Sequence, residues 1–239
     1  MLRAVLFDFG DTLIDFAYDP ELVEAGHRAG LAALGRDGLP QSAAVAAHVR
    51  EHYEPLFWAP GTIEEIEYPG LVRELLGHFE IEVSDEELVR YLKAEHAAWA
   101  PAFVLGSTTH ALLEALRNRG LLLGLVSNAF DPAWILHRDL ERMGLAERLD
   151  FAVFSSEVRR RKPDPAIFRA ALDALEVSPD EALFVGDRLY EDVRGAGELG
   201  MTTVQALWFR ADEHPEGGEP DYQAFTQMDV LNVADRLLD

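Results

Sequence analysis

Short, uninterrupted apolar runs recur along the chain and alternate with segments whose apolar residues fall three and four positions apart. Ala4–Phe7, Leu121–Val126, Phe151–Phe154, Leu183–Val185 and Thr203–Leu207 are too short for helices. Each is bounded by polar residues or glycine, as strands buried on both faces are. Between them, "THALLEALRNRG", "PAIFRAALDALEV" and "EDVRGAGELG" carry helical spacing, and Gly120 stands where the first would be capped. The alternation predicts an α/β fold, a Rossmann-like parallel sheet with helices on both faces. In such sheets ligands bind at the carboxyl ends of the strands.

Residues 16–104 break the pattern. They show no strand signal and predict four helices, Pro20–Leu34, Gln41–His52, Thr62–His78 and Ser84–Trp99. Ser84 and Glu87 have the spacing of a capping box. Pro40, Pro60 and Pro101 with neighbouring glycines supply the breaks. The chain therefore divides into a core, 1–15 and 105–239, and an inserted all-α domain, 16–104. No internal repeat or low-complexity segment is present. The acidic "ADEHPEGGEPD" (211–221) reads as a solvated loop.

Polar residues cluster immediately after the predicted strands. Asp8 follows the first, Ser127 and Asn128 the second, Lys162 lies beyond the third, and Asp187 and Asp192 follow the fourth. Parallel strands bring these positions to one edge, where three carboxylates, an ammonium, a hydroxyl and an amide converge. No structural need requires such a set. The formal charge of −22 argues against nucleic acid or an anionic membrane as partner. There is no cysteine, which excludes disulfides and thiolate chemistry. No apolar run approaches the roughly 20 residues of a membrane span, and no signal-peptide pattern opens the chain, so a cytoplasmic protein is expected. Of the 21 basic residues only Lys93 and Lys162 are lysine. Lys93 lies among Glu86, Glu87 and Glu95 and reads as a solvated ion-pair partner. Phe57, Trp58, Trp99 and Phe103 read as core of the helical domain. His27, His48, His52, His78 and His96 share no metal-ligand spacing with a carboxylate, and His48 and His52 read as surface residues.

In order and spacing, Asp8, Ser127-Asn128, "KPDP" and "VGDRLYED" resemble the motifs of the haloacid dehalogenase superfamily. The helical insertion resembles the cap that many members carry after the first motif. The resemblance covers nearly the whole chain. It implies a Mg²⁺-dependent hydrolase, a phosphatase acting on a small phosphorylated metabolite through an aspartyl-phosphate. Asp8 would be the nucleophile. Asp8, Asp187, the Gly10 carbonyl and Asp192 would hold the metal. Thr12, Ser127 and Asn128 would bind the substrate's phosphoryl group, and Lys162 would neutralise it.

The first motif departs from the family pattern. Where an aspartate usually protonates the leaving oxygen stands Gly10, and Asp11 follows where glycine is usual. Whether Asp11 takes over that role is left open by the sequence. Gly10 is expected to relieve a strained turn while presenting its carbonyl to the metal. Arg159 stands where related sequences often have glycine, and Arg188 replaces a small residue. Two other readings stand beside the phosphatase. One is a 2-haloacid dehalogenase, against which the acidic pair in "GDRLYED" speaks. The other is a catalytically weak binding or regulatory member. Substrate identity and oligomeric state are not legible.

Overall fold

The computed structural model describes residues 1–16, 19–57, 62–209 and 217–238. The chain opens with β1 (Ala4–Phe7) and β2 (Ile14–Phe16). It continues through α1 (Pro20–Leu34), α2 (Ser42–His52), α3 (Glu54–Phe57), α4 (Tyr68–His78) and α5 (Asp85–Trp99), and returns along β3 (Phe103–Leu105). Next come α6 (Thr109–Arg117), β4 (Leu122–Ser127), α7 (Ala133–Arg142), β5 (Phe151–Phe154), α8 (Ser155–Val158) and α9 (Pro165–Leu175). The last part holds β6 (Ala182–Gly186), a π-helical turn (Leu189–Arg194), α10 (Gly195–Glu198), β7 (Thr202–Ala206), β8 (Tyr222–Ala224) and α11 (Asp229–Leu238).

Six strands form a parallel sheet in the order β5-β4-β1-β6-β7-β8. β1 is central and wholly buried, which is why it reads as an unbroken apolar run. Alternate side chains serve opposite faces. Val5 and Phe7 join the core under α6, α7 and α11, while Ala4 and Leu6 join the core under α9 and α10. Phe7 pairs with Leu125 of β4 and Val185 of β6. Asp8 therefore emerges between the ends of those two strands, at the point where the connections diverge to opposite sides of β1.

The helices α1 to α5 gather an apolar cluster of their own, including Val23, Leu31, Val45, Val72, Leu75 and Leu92, which also takes in Ile135 of α7. α1 and α5 pack closely because Gly30 has no side chain; a Cβ there would lie 2.7 Å from the Tyr91 ring. β2 and β3 pair antiparallel, Ile14 opposite Leu105 and Phe16 opposite Phe103, so the two crossings between helices and sheet run side by side. Among the described residues no helix is long and apolar enough to cross a membrane.

The structure departs from the sequence pattern at definable places. β2, β3 and β8 are three residues each, too short for a period to show. The helix expected from Thr62 begins only at Tyr68, where Glu67 accepts from the Gly70 N–H at 2.6 Å and Pro69 occupies the first turn. The residues before it are claimed by the core. Glu64 bridges to Arg160, Glu65 N–H donates to the Arg159 carbonyl at 3.2 Å, and Arg161 N–H donates to the Ile63 carbonyl at 2.8 Å. "EDVRGAGELG" is helical, but its first part is wound as a π turn. Most of "ADEHPEGGEPD", with Trp58 and Pro60, lies outside the described residues. Its last residue is not solvated loop: the Asp221 carboxylate accepts from Thr203 N–H at 2.8 Å and Thr203 Oγ1 at 3.0 Å, docking the chain before β8.

Candidate active site

The side chains at the strand ends meet around Lys162. Its Nζ donates to Asp8 Oδ1 and to Asp192 Oδ1, both at 2.6 Å, and only 3% of the residue is exposed. Burial opposes the lysine's charge, but Asp192 and Asp8 outweigh it and hold the ammonium protonated. Asn128 locks the lysine's backbone: Lys162 N–H donates to Asn128 Oδ1 at 2.7 Å, and Asn128 Nδ2 donates to the Lys162 carbonyl at 3.2 Å. The amide expected to touch substrate is thus committed to positioning Lys162.

Asp192 reaches the lysine from the π turn. Its Oδ2 accepts from the Arg188 N–H at 3.0 Å. The approach depends on Gly186, where a Cβ would lie 2.4 Å from the Asp192 carboxyl. Extra backbone in a π turn is a common way to aim a side chain at a site. Asp187 follows β6 and is buried. Burial pushes its carboxyl up, and the charges of Asp192 and Asp8 push in the same direction. Asp192 is likewise pushed up by burial, with Lys162 pulling the other way. Asp8, Asp187 and Asp192 each bring an oxygen within 4.8 Å of the others. Hard carboxylate oxygens crowded in this way, with one ammonium among them, are a donor set suited to a hard divalent cation.

Asp8 also borders a cavity of about 240 Å³ between sheet and helices. Gly10, Asp11, Ser127, Asn128, Lys162 and Arg188 line its sheet side. Thr12 does not reach it. The Thr12 side chain is wholly buried below the loop, and its carbonyl accepts from Trp208 Nε1 at 2.9 Å and Gln227 Nε2 at 3.1 Å. Asp187 and Asp192 lie behind Asp8, off the cavity wall.

The first motif's strain is not where the sequence suggested. Gly10 has no positive φ and open space where a Cβ would be, so nothing steric requires glycine there. Asp11 is the residue in the left-handed region, with φ 54°, and its Oδ1 accepts from Phe16 N–H at 3.3 Å. Aspartate tolerates this region better than most residues. Arg159, at φ 59°, explains the other departure in the same way. It adopts a glycine-like conformation on the exposed surface, away from the cavity. Arg188, by contrast, is on the cavity wall. Burial works against its charge, and Asp187, Glu191, Asp192 and Asp8 sustain it.

The helical side was largely missed from the sequence. Phe57 and Trp99 pack against the apolar cluster of the helices, as expected, while Phe103 packs against the core of the sheet; all three also line the cavity with Phe16, Tyr68 and Phe130. Glu95 is not a partner of Lys93. The two lie about 200° apart around α5. Lys93 is exposed over the Trp134 ring at 5.3 Å, whereas Glu95 is buried at the cavity. The Tyr68 hydroxyl donates to Glu95 Oε1 at 2.6 Å, and His27 Nδ1 lies 3.2 Å from that oxygen and 2.8 Å from the Tyr91 hydroxyl. Burial pushes Glu95 up to about 8 and His27 down to about 4, so this is a neutral network at pH 7 rather than an ion pair. His96, also on the wall, sits between Asp131 at 3.2 Å and Asp139 at 2.5 Å. Burial disfavours its charge, yet the two carboxylates prevail and push it up to about 10. The available signal was a polar residue on the buried face of an amphipathic helix, and it is weak without knowing what that face meets.

Comparison with known proteins agrees with this geometry. A family model of haloacid dehalogenase-like hydrolases matches residues 2–200. Over 241 aligned residues the chain is 30% identical to a Methanopyrus kandleri protein named glyceraldehyde 3-phosphate phosphatase, covering 99% of each. The fold is shared with a HAD phosphatase from Thermococcus onnurineus (TM-score 0.64, 23% identity, 98% of each chain). It is also shared with a 2-haloacid dehalogenase from Pseudomonas syringae pv. Tomato DC3000 (TM-score 0.69, 24% identity, 99% of each chain). At such identities the solved structures speak for the fold alone, whereas the family match and the whole-length sequence relative settle descent: the chain belongs to the haloacid dehalogenase-like hydrolases.

Proposed function

We propose that this hydrolase is a Mg²⁺-dependent phosphatase of a small phosphomonoester. The observation that carries the reading is the group of three carboxylates within 4.8 Å of one another around Lys162. A phosphoryl substrate brings further negative charge, and a site of this kind needs a cation to receive it. Displacement at carbon, as in a dehalogenase, needs no such acidic pair. The name of the Methanopyrus kandleri relative supports the same choice.

Asp8, Asp187, Asp192 and the Gly10 carbonyl would hold Mg²⁺. When bound, it would neutralise the carboxylates and the phosphoryl oxygens. Asp8 would attack phosphorus, forming an aspartyl-phosphate as the bond from phosphorus to the leaving oxygen breaks. The leaving oxygen takes a proton, for which Asp11 is the carboxyl of the motif loop on the cavity wall. Water would then attack phosphorus, releasing phosphate and restoring Asp8. Lys162 would orient Asp8 and neutralise the phosphoryl group, with Asn128 positioning Lys162. Ser127 and Arg188 would receive phosphoryl oxygens.

Residues 1–15 and 105–239 would be the catalytic core, with 16–104 as a cap closing the cavity. Its charge of −22 favours a small phosphorylated metabolite as partner over nucleic acid or an anionic membrane, and we read the protein as cytoplasmic.

The test is Mg²⁺-dependent release of phosphate from p-nitrophenyl phosphate, lost in Asp8→Asn. Chloride release from 2-chloropropionate without phosphate release would replace this reading with the dehalogenase.

A further inference from the structure

The helical insertion touches the sheet edge at a place away from its two crossings. Ile63, Glu64 and Glu65, which precede α4, run alongside Arg159, Arg160 and Arg161, the residues that lead into Lys162. Two backbone hydrogen bonds join the segments, from Glu65 N–H to the Arg159 carbonyl and from Arg161 N–H to the Ile63 carbonyl. These bonds already tether the insertion. The Glu65 side chain does something further, because it enters the sheet edge and is only 1% exposed.

Glu65 Oε2 accepts from the hydroxyl of Ser155, at the start of α8, and lies 3.8 Å from Arg161 Nε. Its Oε1 accepts from the Ile66 N–H at 2.8 Å, which fixes the carboxyl's own orientation. Ser155 is wholly buried, and its Oγ accepts from the Ala129 N–H at 2.8 Å. The Ala129 carbonyl lies 3.3 Å from the same Oγ. A hydroxyl has one proton and two lone pairs. Glu65 gives that proton an acceptor outside the loop and leaves the lone pairs to the Ala129 N–H. Without Glu65 the proton turns to the Ala129 carbonyl, and one residue must present both its N–H and its carbonyl to a single atom. The peptide that Ser155 holds joins Ala129 to Asn128, and Asn128 clasps the Lys162 backbone through two hydrogen bonds. Burying a carboxyl costs free energy that an apolar side chain would not. The steps proposed above make no use of this one.

We infer that Glu65 is a positioning residue, supplied by the insertion, that acts through Ser155 on the loop 127–129 and so on Lys162. This rests on the phosphatase reading and adds that the site is complete only with residues 63–65 seated on it.

The experiment measures kcat and KM for p-nitrophenyl phosphate with Mg²⁺ in wild type, Glu65→Gln, Glu65→Leu, Ser155→Ala and the Glu65→Leu/Ser155→Ala double variant. Each is assayed well below its own unfolding midpoint. A displacement of about 1 Å near reacting groups can cost roughly 10²-fold, so Glu65→Leu and Ser155→Ala should each lower kcat by about tenfold or more. Both break the same chain of contacts, so the double variant should be no slower than the slower single one. Glu65→Gln keeps an oxygen for the Ser155 hydroxyl, at the expense of the Ile66 N–H, and should stay within about threefold of wild type. A merely structural role would give losses that follow the unfolding midpoint and multiply in the double variant. Wild-type kcat in Glu65→Leu or Ser155→Ala, multiplying losses, or a Glu65→Gln as slow as Glu65→Leu overturns the inference. If Glu65→Leu does not fold, the other two single variants decide: a slow Ser155→Ala beside a near-wild-type Glu65→Gln supports the inference, and any other pair of rates overturns it. If wild type cleaves the ester and every variant matches it, only the inference falls; if nothing is cleaved with Mg²⁺, the phosphatase reading falls and takes the inference with it.

Discussion

Two buried polar clusters border one cavity, and they solve the problem of buried acid differently. At the sheet edge, Asp8 and Asp192 share the ammonium of Lys162, and the crowding of three carboxylates is of a kind that a divalent cation relieves. On the helical side, Glu95 meets Tyr68 and His27, and the acid is kept neutral by burial instead. In the proposed phosphatase the first cluster concentrates charge for chemistry. The second is built without net charge. A buried carboxyl is thus accommodated in two ways, by a paired ammonium or by keeping its proton, and its partners say which.

The most severe way to break the contrast is at its charged side. Asp8→Asn should lower phosphate release by roughly 10⁴-fold or more while circular dichroism and thermal unfolding stay near wild type. Lys162→Met should leave buried carboxylates uncompensated and cost about 3–5 kcal/mol in denaturant unfolding. An unchanged unfolding midpoint would mean that Lys162 does not hold this cluster together.

Exchanging the motif order tests how the two sides share the leaving group. The double variant Gly10→Asp with Asp11→Gly places a carboxyl where there is open space and a glycine where φ is 54°. Removing that strain should stabilise the fold by about 1 kcal/mol. If proton transfer is the weak step in wild type, alkyl phosphates should gain about 10²-fold in the double variant while p-nitrophenyl phosphate changes little. Equal alkyl rates in both proteins, with Asp11→Asn slower than either, would assign the proton to Asp11 as it stands.

The neutral side should show in the pH dependence of stability. Glu95 has a pKa raised from 4.5 to about 8, so between those values the folded state holds a proton that the unfolded state has lost. Stability from this group is complete below about 4.5 and is lost as pH rises through 8. His96, raised from 6.5 to about 10, works in the same direction above 6.5. His27, lowered from 6.5 to about 4, works against it between those values and not above. The unfolding free energy should therefore fall between pH 6.5 and 8, with Glu95 contributing up to about 1.4 kcal/mol per pH unit. Glu95→Gln should flatten the slope; the same slope in the variant would show that Glu95 is not the proton carrier. The smallest effect belongs to the lysine outside both clusters. Lys93→Ala should cost about 0.5 kcal/mol or less through its contact with Trp134 and leave phosphate release unchanged.

By itself the sequence determined the parallel sheet, the helical insertion and the gathering of Asp8, Ser127, Lys162, Asp187 and Asp192 at one edge. Strand ends in a parallel sheet are ordered by topology, so residues just after apolar runs are placed before any packing is known. Only the tertiary structure decided the rest. Thr12 turns into the core and Asn128 turns onto the Lys162 backbone, because loop side-chain direction depends on one or two dihedral angles that no periodicity records. The strained residue of the first motif is Asp11 rather than Gly10 for the same reason. Glu95, His27 and Tyr68 lie far apart in sequence on three helices. Their meeting depends on how α1, α4 and α5 pack, and that is set by contacts such as Tyr91 against Gly30 rather than by any local signal.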